Sequence, residues 1–514
     1  MNKIRIDRFT FFMSITTIVL ICLPIVIFPN QATQLINLIN KYLTSNFGFL
    51  NIWMGIFALI SALWFAFSKY GNVVLGQKNE KPEFNKFSWA AMLFCAGIGS
   101  GVMYWGSIEW AYYLSEPPFG MVPGSWEAAE MAATYGIFHW GPIGWALYAL
   151  PALPIAYSYF VRQDNVFKIS EALRCLLGSK VDGFIGKIID ILFIFGAVGA
   201  TATSLGLGIP LISAGVSNLL GIEMNLTLNL FVLFLVITLF SMSAYSGLKK
   251  GIQVLSNINI ALIFIILLFV LITGPTLFIL KMGTTSLGLL LQNFFRMSTW
   301  MDPVNNSGFT ESWTVFYWAW WIISSPLIGL FIARISRGMK VKTVILGSMI
   351  FGTMGCAIIF VVFGNLGLHL QLTGELDVIG LLNSKGGPIA IISVLETLTF
   401  NKLIILGFSV AATVFTATTF DSVSYILASV TTKQLYQGQE PAKWNRLFWA
   451  FALGFIPMAL LVIDGPLYAI QTVSIITALP IVLIMCLLIA SFKKMVDEDL
   501  YTQGNIRQNV SGMD

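Results

Sequence analysis

Charged residues and histidine are scarce in this 514-residue sequence. Asp, Glu, Lys and Arg together make up 10% of the residues, and there are two histidines. Soluble domains carry about 25% charged residues, whereas this chain is 57% hydrophobic and has a mean hydropathy of +0.82. The composition therefore predicts a protein that uses the lipid bilayer as its solvent, and it excludes a water-soluble enzyme.

Clusters of cysteine and histidine are also missing. The five cysteines are scattered, without a Cys-x-x-Cys motif, so the sequence indicates neither a disulfide framework nor a zinc site. A membrane enzyme would need a convergent nucleophile, base or metal cluster, which His139 and His369 do not supply. We therefore predict no enzymatic activity and no cofactor. A series of alternating ten-residue segments, typical of a transmembrane β-barrel, is absent as well.

Long apolar runs are abundant, and a run of about 20 residues crosses a hydrocarbon core of roughly 30 Å. The sequence predicts an all-α integral membrane protein with twelve transmembrane helices, at approximately 9–29, 49–68, 88–115, 136–160, 184–206, 226–245, 252–280, 312–336, 341–364, 402–431, 444–463 and 466–492. Shorter amphipathic segments at about 208–220, 284–296 and 388–398 are predicted to be helices at the membrane surface.

The basic residues indicate the orientation of the chain. If the N-terminus is cytoplasmic, 24 of the 29 Lys and Arg residues fall in inside segments, as the positive-inside rule requires. Both termini are then cytoplasmic, in a plasma membrane of the bacterial inner-membrane type. The net charge of +5 is thus explained by topology, and we expect no nucleic-acid partner.

Two predicted spans contain residues that favour a break in the helix. The third holds the run Ala96-Gly-Ile-Gly-Ser-Gly101, and the eighth holds Ser324-Ser-Pro326. Each pattern alone is typical of close packing or a simple kink. Corresponding breaks in two halves, however, are typical of an inverted-repeat transporter with a site at the midplane.

Spans 3–7 and 8–12 would then form two inverted five-helix repeats after two extra helices. The expected division of the chain is 1–87 for the N-terminal tail and the two peripheral helices, 88–311 and 312–492 for the repeats, and 493–514 for a short cytoplasmic tail.

Aromatic residues crowd two segments beside these features. One is Ser312-Trp-Thr-Val-Phe-Tyr-Trp-Ala-Trp-Trp321, and the other holds Trp140, Trp145 and Tyr148 around Pro142. Interfacial tryptophan belts are common in membrane proteins, but these rings continue into the spans. Several aromatic faces around one point bind a quaternary ammonium ion by cation–π attraction, about 0.5–2 kcal/mol or more for each ring.

These segments resemble the betaine/carnitine/choline transporter family, together with the glycine run at 96–101 and Ala333-Arg-Ile-Ser-Arg-Gly338. The resemblance implies an inverted-repeat fold, usually a homotrimer, and a cage for trimethylammonium compounds formed by Trp140, Trp145, Tyr148 and Trp321, with Trp320 beside it. Tyr112 resembles an additional cage residue of the carnitine-exchanging branch. Ser324 replaces a tryptophan of many betaine carriers, which leaves the substrate open.

The resemblance also bears on ion coupling. Sodium-coupled members have a hydroxyl pair at the positions of Thr418 and Thr419, facing carbonyls at the positions of Cys95 and Ile98; we add Phe415 to this expected sodium site. Sodium-independent exchangers carry an arginine in span seven where this chain has Ile260.

We therefore expect sodium symport of glycine betaine or a carnitine-like compound by alternating access, in contact with membrane lipid. A sodium-independent carnitine/precursor antiporter and proton-coupled choline uptake are the alternatives. Glu109 and Asp421, two acidic residues within spans, are expected to have structural or gating roles.

Overall fold

The computed structural model describes residues 5–77, 79–164, 166–246, 248–436, 438–462 and 467–511. Within these residues the regular structure is helical, and extended pairing is limited to the isolated bridges Ile6–Thr432 and Val74–Lys340. The α-helices are α1 (Arg8–Ile27), α2 (Pro29–Phe67), α3 (Lys86–Ile98), α4 (Gly101–Ser115), α5 (Trp126–His139), α6 (Pro142–Ala156), α7 (Arg174–Leu177), α8 (Phe184–Leu220), α9 (Leu226–Ser246), α10 (Gln253–Thr273), α11 (Thr276–Thr299), α12 (Phe316–Ile335), α13 (Val341–Ile359), α14 (Asn365–Thr373), α15 (Val378–Lys385), α16 (Gly387–Glu396), α17 (Asn401–Val430), α18 (Lys443–Val462) and α19 (Leu467–Ser511).

Shorter helical segments connect several of these helices. Segments of 3₁₀-helix lie at Lys69–Asn72, Pro118–Gly120, Glu171–Leu173 and Gly178–Asp182, and π-helical turns lie at Tyr157–Val161, Leu248–Ile252, Thr310–Val315 and Phe360–Gly364. Among the described residues, eight helices are long and apolar enough to cross a membrane, and the bent pair α3–α4 makes a ninth. The protein is a multi-pass membrane protein, as its composition predicts.

The predicted break in the third span is confirmed. Helix α3 ends at Ile98, α4 begins at Gly101, and the two axes differ by 61°. Gly99 has φ +59 and ψ −151, a conformation that side chains disfavour. A Cβ at this position would also lie 2.6 Å from Thr419 Oγ1. The break therefore depends on glycine at this position.

The predicted break in the eighth span is wrong. Helix α12 continues through Pro326 to Ile335. Proline lacks an N–H, so the carbonyl of Ile322 loses its usual helical donor. The Ser325 hydroxyl donates to that carbonyl at 2.8 Å and compensates for the loss. The serine before the proline therefore keeps the helix continuous.

The predicted surface helix at 208–220 is also wrong as a separate element. Helix α8 runs from Phe184 to Leu220 and contains Pro210 in its interior. Leu205, Ile209 and Ile212 are at most 3% exposed, so a buried face continues across the proline at helical spacing. Burial of that face offsets the single hydrogen bond that Pro210 removes.

The predicted fourth span, 136–160, is divided by a corner. Helix α5 ends at His139, Gly141 is extended, and Pro142 is the first residue of α6. Proline suits this position because the first helical N–H has no partner within the helix. The chain thus changes helix completely at Pro142.

Candidate functional site

The corner between α5 and α6 faces α12, and the two segments rich in tryptophan meet there. Trp140 caps the C-terminal end of α5, while Trp145 and Tyr148 project from α6. Gly144 allows α6 to approach α12, because a Cβ on Gly144 would lie 2.5 Å from the Trp321 ring. The corner and this glycine together bring the aromatic residues of both segments to one place.

Trp321 lies at the centre of the four predicted cage residues. Its ring centroid is 5.8 Å from that of Trp140, 5.9 Å from that of Trp145 and 4.4 Å from that of Tyr148. All four side chains are at most 1% exposed. The Trp321 indole N–H donates to the carbonyl of His139 at 3.1 Å, which holds the ring against the corner. The structure therefore brings the four residues together as one buried aromatic cluster.

Trp320 borders this cluster and a small cavity beside it. Its ring centroid is 5.7 Å from that of Trp140 and 5.6 Å from that of Trp321. The cavity has a volume of about 20 Å³ and is lined by Tyr148, Trp320, Ser324, Ile98 and Thr419, among others. This volume holds about one water molecule, so the rings must separate to admit a larger guest.

Tyr112 lies outside the four-ring cluster. Its ring contacts Trp105 and Trp313, with centroids 6.0 and 5.4 Å away. Both of these tryptophans also contact Tyr317, whose ring is 5.9 Å from that of Trp140. Tyr112 therefore belongs to a second aromatic group that adjoins the cage through Tyr317.

Glu109 contacts the cage, which the sequence did not predict. Its carboxylate is fully buried and accepts hydrogen bonds from Tyr113 Oη, from Tyr317 Oη at 2.5 Å and from Trp140 Nε1 at 3.2 Å. The neighbouring His139 contacts Tyr113 Oη through Nδ1 at 2.9 Å. An acidic residue within a span was the available signal, but its partners come from three helical segments. Glu109 positions the Trp140 ring.

Asp421 has a different environment. It is fully buried, lies 3.2 Å from Arg446 and accepts a hydrogen bond from the Ser243 hydroxyl at 2.5 Å. Arg446 is itself 1% exposed. Removing one partner of such a pair leaves an uncompensated buried charge. Asp421 therefore joins α17 to α18 and α9.

Four of the five predicted ion ligands, Thr418, Thr419, Cys95 and Phe415, form an oxygen cluster where α17 crosses the end of α3. Thr419 Oγ1 lies within hydrogen-bond distance of two carbonyl oxygens, that of Cys95 at 2.8 Å and that of Phe415 at 3.0 Å. Thr418 Oγ1 contacts the same Phe415 carbonyl at 3.0 Å. Ile98 joins Thr419 in lining the small cavity. Uncharged hydroxyl and carbonyl oxygens of this kind are hard ligands suited to an alkali-metal cation.

Phe94 connects the oxygen cluster to the aromatic cluster. Its ring stacks on Trp145, with centroids 6.4 Å apart and planes at 13°, and its edge contacts Phe415 at 5.9 Å. Gly97 packs against the same Trp145 ring, and a Cβ added to Gly97 would lie 3.2 Å from a carbon of that ring. The last turn of α3 therefore contacts both clusters.

The sequence is similar to known transporters. The family model of the betaine/carnitine/choline transporters matches residues 9–501. An uncharacterized transporter of Escherichia coli K12, YeaV, is 36% identical over 446 residues, covering 87% of this chain and 92% of that protein. A carnitine transporter of Acinetobacter baumannii is 33% identical over 498 residues, covering 97% of this chain and 90% of that protein.

A solved structure of a sodium-coupled sialic acid symporter, bound to substrate and outward-open, aligns with 86% of this chain and 85% of its own, at a TM-score of 0.45 and 12% identity. The family model spans nearly the whole chain, and both relatives exceed 30% identity over most of their length. The chain therefore belongs to the betaine/carnitine/choline family of transporters.

Proposed function

We propose that this protein imports a trimethylammonium compound, glycine betaine or a carnitine-like molecule, together with sodium. The observation that carries this proposal is the small cavity shared by the two clusters. Tyr148 of the aromatic cluster and the neighbouring Trp320 line it, together with Thr419 of the oxygen cluster and Ile98. A substrate bound on one side of this cavity and an ion bound on the other would each change the affinity of the protein for the other.

The aromatic cluster suits a permanent cation. Trimethylammonium cannot donate a hydrogen bond, and electron-rich ring faces attract it without a buried counter-charge. The substrate's own carboxylate balances the charge in betaine and carnitine. The A. baumannii relative is named a carnitine transporter, which supports this class of substrate.

The oxygen cluster suits sodium as the coupling ion. No Lys or Arg occurs from 251 to 280, so α10 provides no fixed cation for this region. The carbonyl of Ser256 lies 3.9 Å from Cys95 Sγ. Ile260 is four residues after Ser256, and residues four apart share a helix face. Ile260 therefore lies on the face of α10 that is directed toward α3. A mobile cation would supply the missing positive charge there.

Helix α3 would couple the two sites. The Cys95 carbonyl of this helix belongs to the oxygen cluster, while Phe94 and Gly97 contact Trp145. Sodium bound at Thr419 would hold this turn in place, and the turn would hold the Trp145 ring in a geometry that binds substrate. Rocking of one helix set around this fixed site would then provide alternating access.

The same proposal extends to the arrangement of the chain. Adding α1, α6 and α18 to the nine apolar spans gives twelve, with α3–α4 and α12 as the first helices of two inverted repeats, 88–311 and 312–492. The preceding segment, 1–87, holds the two peripheral helices, and 493–514 forms the tail. We place the protein in the inner membrane with both termini cytoplasmic, as a homotrimer.

Uptake into proteoliposomes tests the coupling. With an inward sodium gradient we expect labelled glycine betaine or carnitine to accumulate, and with potassium in place of sodium we expect little accumulation, since a symporter draws its driving force from the ion. Exchange against preloaded substrate without sodium would support the antiporter instead. Accumulation driven by a pH gradient alone would support proton-coupled choline uptake.

Substitution of Glu109 tests how the cage is positioned. Because three donors converge on this carboxylate, Glu109→Gln places an amide N–H₂ group against at least one of them. A hydrogen bond to a charged group contributes about 1.5–3 kcal/mol, so we expect the KM for uptake to rise at least tenfold. The exposed Glu127 of α5 provides the matched control, Glu127→Gln. An unchanged KM in the Glu109 variant would contradict its positioning role.

A further inference from the structure

A large cavity lies where the start of α1, the segment 166–190 and the residues 431–444 meet. Its volume is about 1520 Å³, and ten of its lining residues are charged, six of them basic. None of its lining residues belongs to the aromatic cage or to the small cavity beside it. Charge and size therefore distinguish it from the small cavity of the transport site.

Two of the basic residues are held opposite each other by the backbone. Ile6 and Thr432 form an antiparallel bridge, and the Lys433 amide donates to the carbonyl of Arg5 at 2.8 Å. Arg5 and Lys433 are therefore cross-strand neighbours. Like charges in this arrangement repel each other, so an anion between them would stabilise the pairing.

The acidic residues of the cavity are already engaged by two other bases. Lys168 lies 2.8 Å from Asp7 and 3.8 Å from Asp190. Burial raises the pKa of Asp7, but the attraction and hydrogen bond of Lys168 outweigh it, and the pKa lies below its ordinary value. Asp7 is therefore ionised and neutralised by Lys168.

Arg174 likewise forms ion pairs with two acidic residues, Glu171 and Asp182, the latter at 2.6 Å. Arg5, Arg8, Lys187 and Lys433 remain, and none of them forms an ion pair within the described part of the chain. These four, which we call the free bases, line one cavity. Six bases against four acids give the lining a formal net charge of +2, which an anion from outside the chain would balance.

Exposed aromatic side chains adjoin the free bases. Phe9, Phe12 and Trp444 line the cavity and are 43, 61 and 54% exposed, and Lys187 Nζ lies 4.4 Å above the Phe9 ring. Beyond Phe12, the exposed apolar face of α1 continues to Leu20 and Leu23. A ligand with a phosphate at one end and an acyl chain at the other fits this arrangement, in which the free bases are followed by an exposed apolar face of α1.

We propose that this cavity binds the headgroup of an anionic glycerophospholipid, with the phosphate on the free bases and the acyl chains along α1. Basic pockets between membrane helices bind such headgroups. A soluble phosphate would use the bases but would gain nothing from the apolar face of α1. This site is independent of the proposed substrate and of the coupling ion.

Lipid titration of the purified full-length protein tests the proposal. Phosphatidylglycerol added to the protein in detergent is expected to raise its thermal unfolding temperature and to remain bound in native mass spectrometry, whereas phosphatidylcholine does neither. Each base near an anionic surface changes the binding constant about fivefold, so Arg5→Gln, Arg8→Gln and Lys433→Gln combined should weaken binding roughly 100-fold.

The matched control replaces the exposed Lys41, Lys281 and Lys385 by glutamine and should bind like the parent protein. Equal binding of phosphatidylcholine, an equal effect of inorganic phosphate, or full binding by the Arg5/Arg8/Lys433 variant would each overturn the proposal. Should that variant fail to fold, the single change Arg8→Gln and a sodium chloride titration of the parent protein serve instead. Lipid binding that does not weaken with salt would then contradict it.

Discussion

Replacing Trp321 by leucine is expected to abolish measurable uptake of glycine betaine or carnitine at micromolar concentrations. Trp321 lies at the centre of the cage, within 6 Å of the rings of Trp140, Trp145 and Tyr148. Leucine keeps apolar bulk but has no π face, and a desolvated cation–π contact contributes about 2 kcal/mol or more. The apparent affinity should therefore fall at least 30-fold, as measured by labelled substrate binding to purified protein.

Trp318 offers the matched control on the same helix. It is also fully buried, but its ring contacts Phe138 and His139 instead of the cage. Trp318→Leu creates a similar loss of core packing without removing a cage ring. If both variants insert normally and bind equally well, Trp321 does not contact the ammonium group. An intermediate affinity of Trp321→Phe would support the importance of the aromatic face.

The second large effect is expected from Thr419→Val, which should raise the sodium concentration for half-maximal uptake about 10- to 100-fold. Valine preserves the shape of threonine and removes the hydroxyl that contacts both the Cys95 and Phe415 carbonyls. An interaction with a charged group contributes about 1.5–3 kcal/mol, which corresponds to this range. Uptake measured at saturating substrate over a series of sodium concentrations gives the constant directly.

Two further variants separate an ion ligand from a packing group. Thr413 also lies on α17, and its hydroxyl donates only to Ser409 in the preceding turn at 2.7 Å, so Thr413→Val should leave the sodium dependence unchanged. Thr419→Ser retains the hydroxyl and should restore most of the sodium affinity. A normal sodium constant in Thr419→Val would remove this residue from the coupling site.

The architecture could be predicted where a single helix carries the signal. The helix break at Gly99 was predictable, because glycines at alternate positions lower the cost of leaving helical geometry. The break at Pro326 was predicted by the same logic and is wrong, because the Ser325 hydroxyl donates to the Ile322 carbonyl. Such local compensation depends on a side-chain rotamer, which a sequence pattern does not report.

The residues that form the site could be predicted from the sequence, but only some of the contacts between them could. The resemblance indicated Trp140, Trp145, Tyr148 and Trp321 as one cage, and their rings do lie together. Tyr112 is separated from the cage by two rings, a tryptophan and Tyr317. Glu109, which accepts a hydrogen bond from Trp140, was assigned only a general structural or gating role. Partners of a buried carboxylate come from several helices, so the periodicity of one helix cannot identify them.

The sequence alone established a multi-span membrane protein and the residue types of its two clusters, since apolar length, charge placement and motif spacing are properties of one segment at a time. Which side chains meet depended on the packing of the helices. Thr419 and Cys95 are 324 positions apart, and the crossing of α17 over the end of α3 brings them within hydrogen-bond distance. Contacts at that separation result from the closure of the whole bundle, so they are properties of the folded protein.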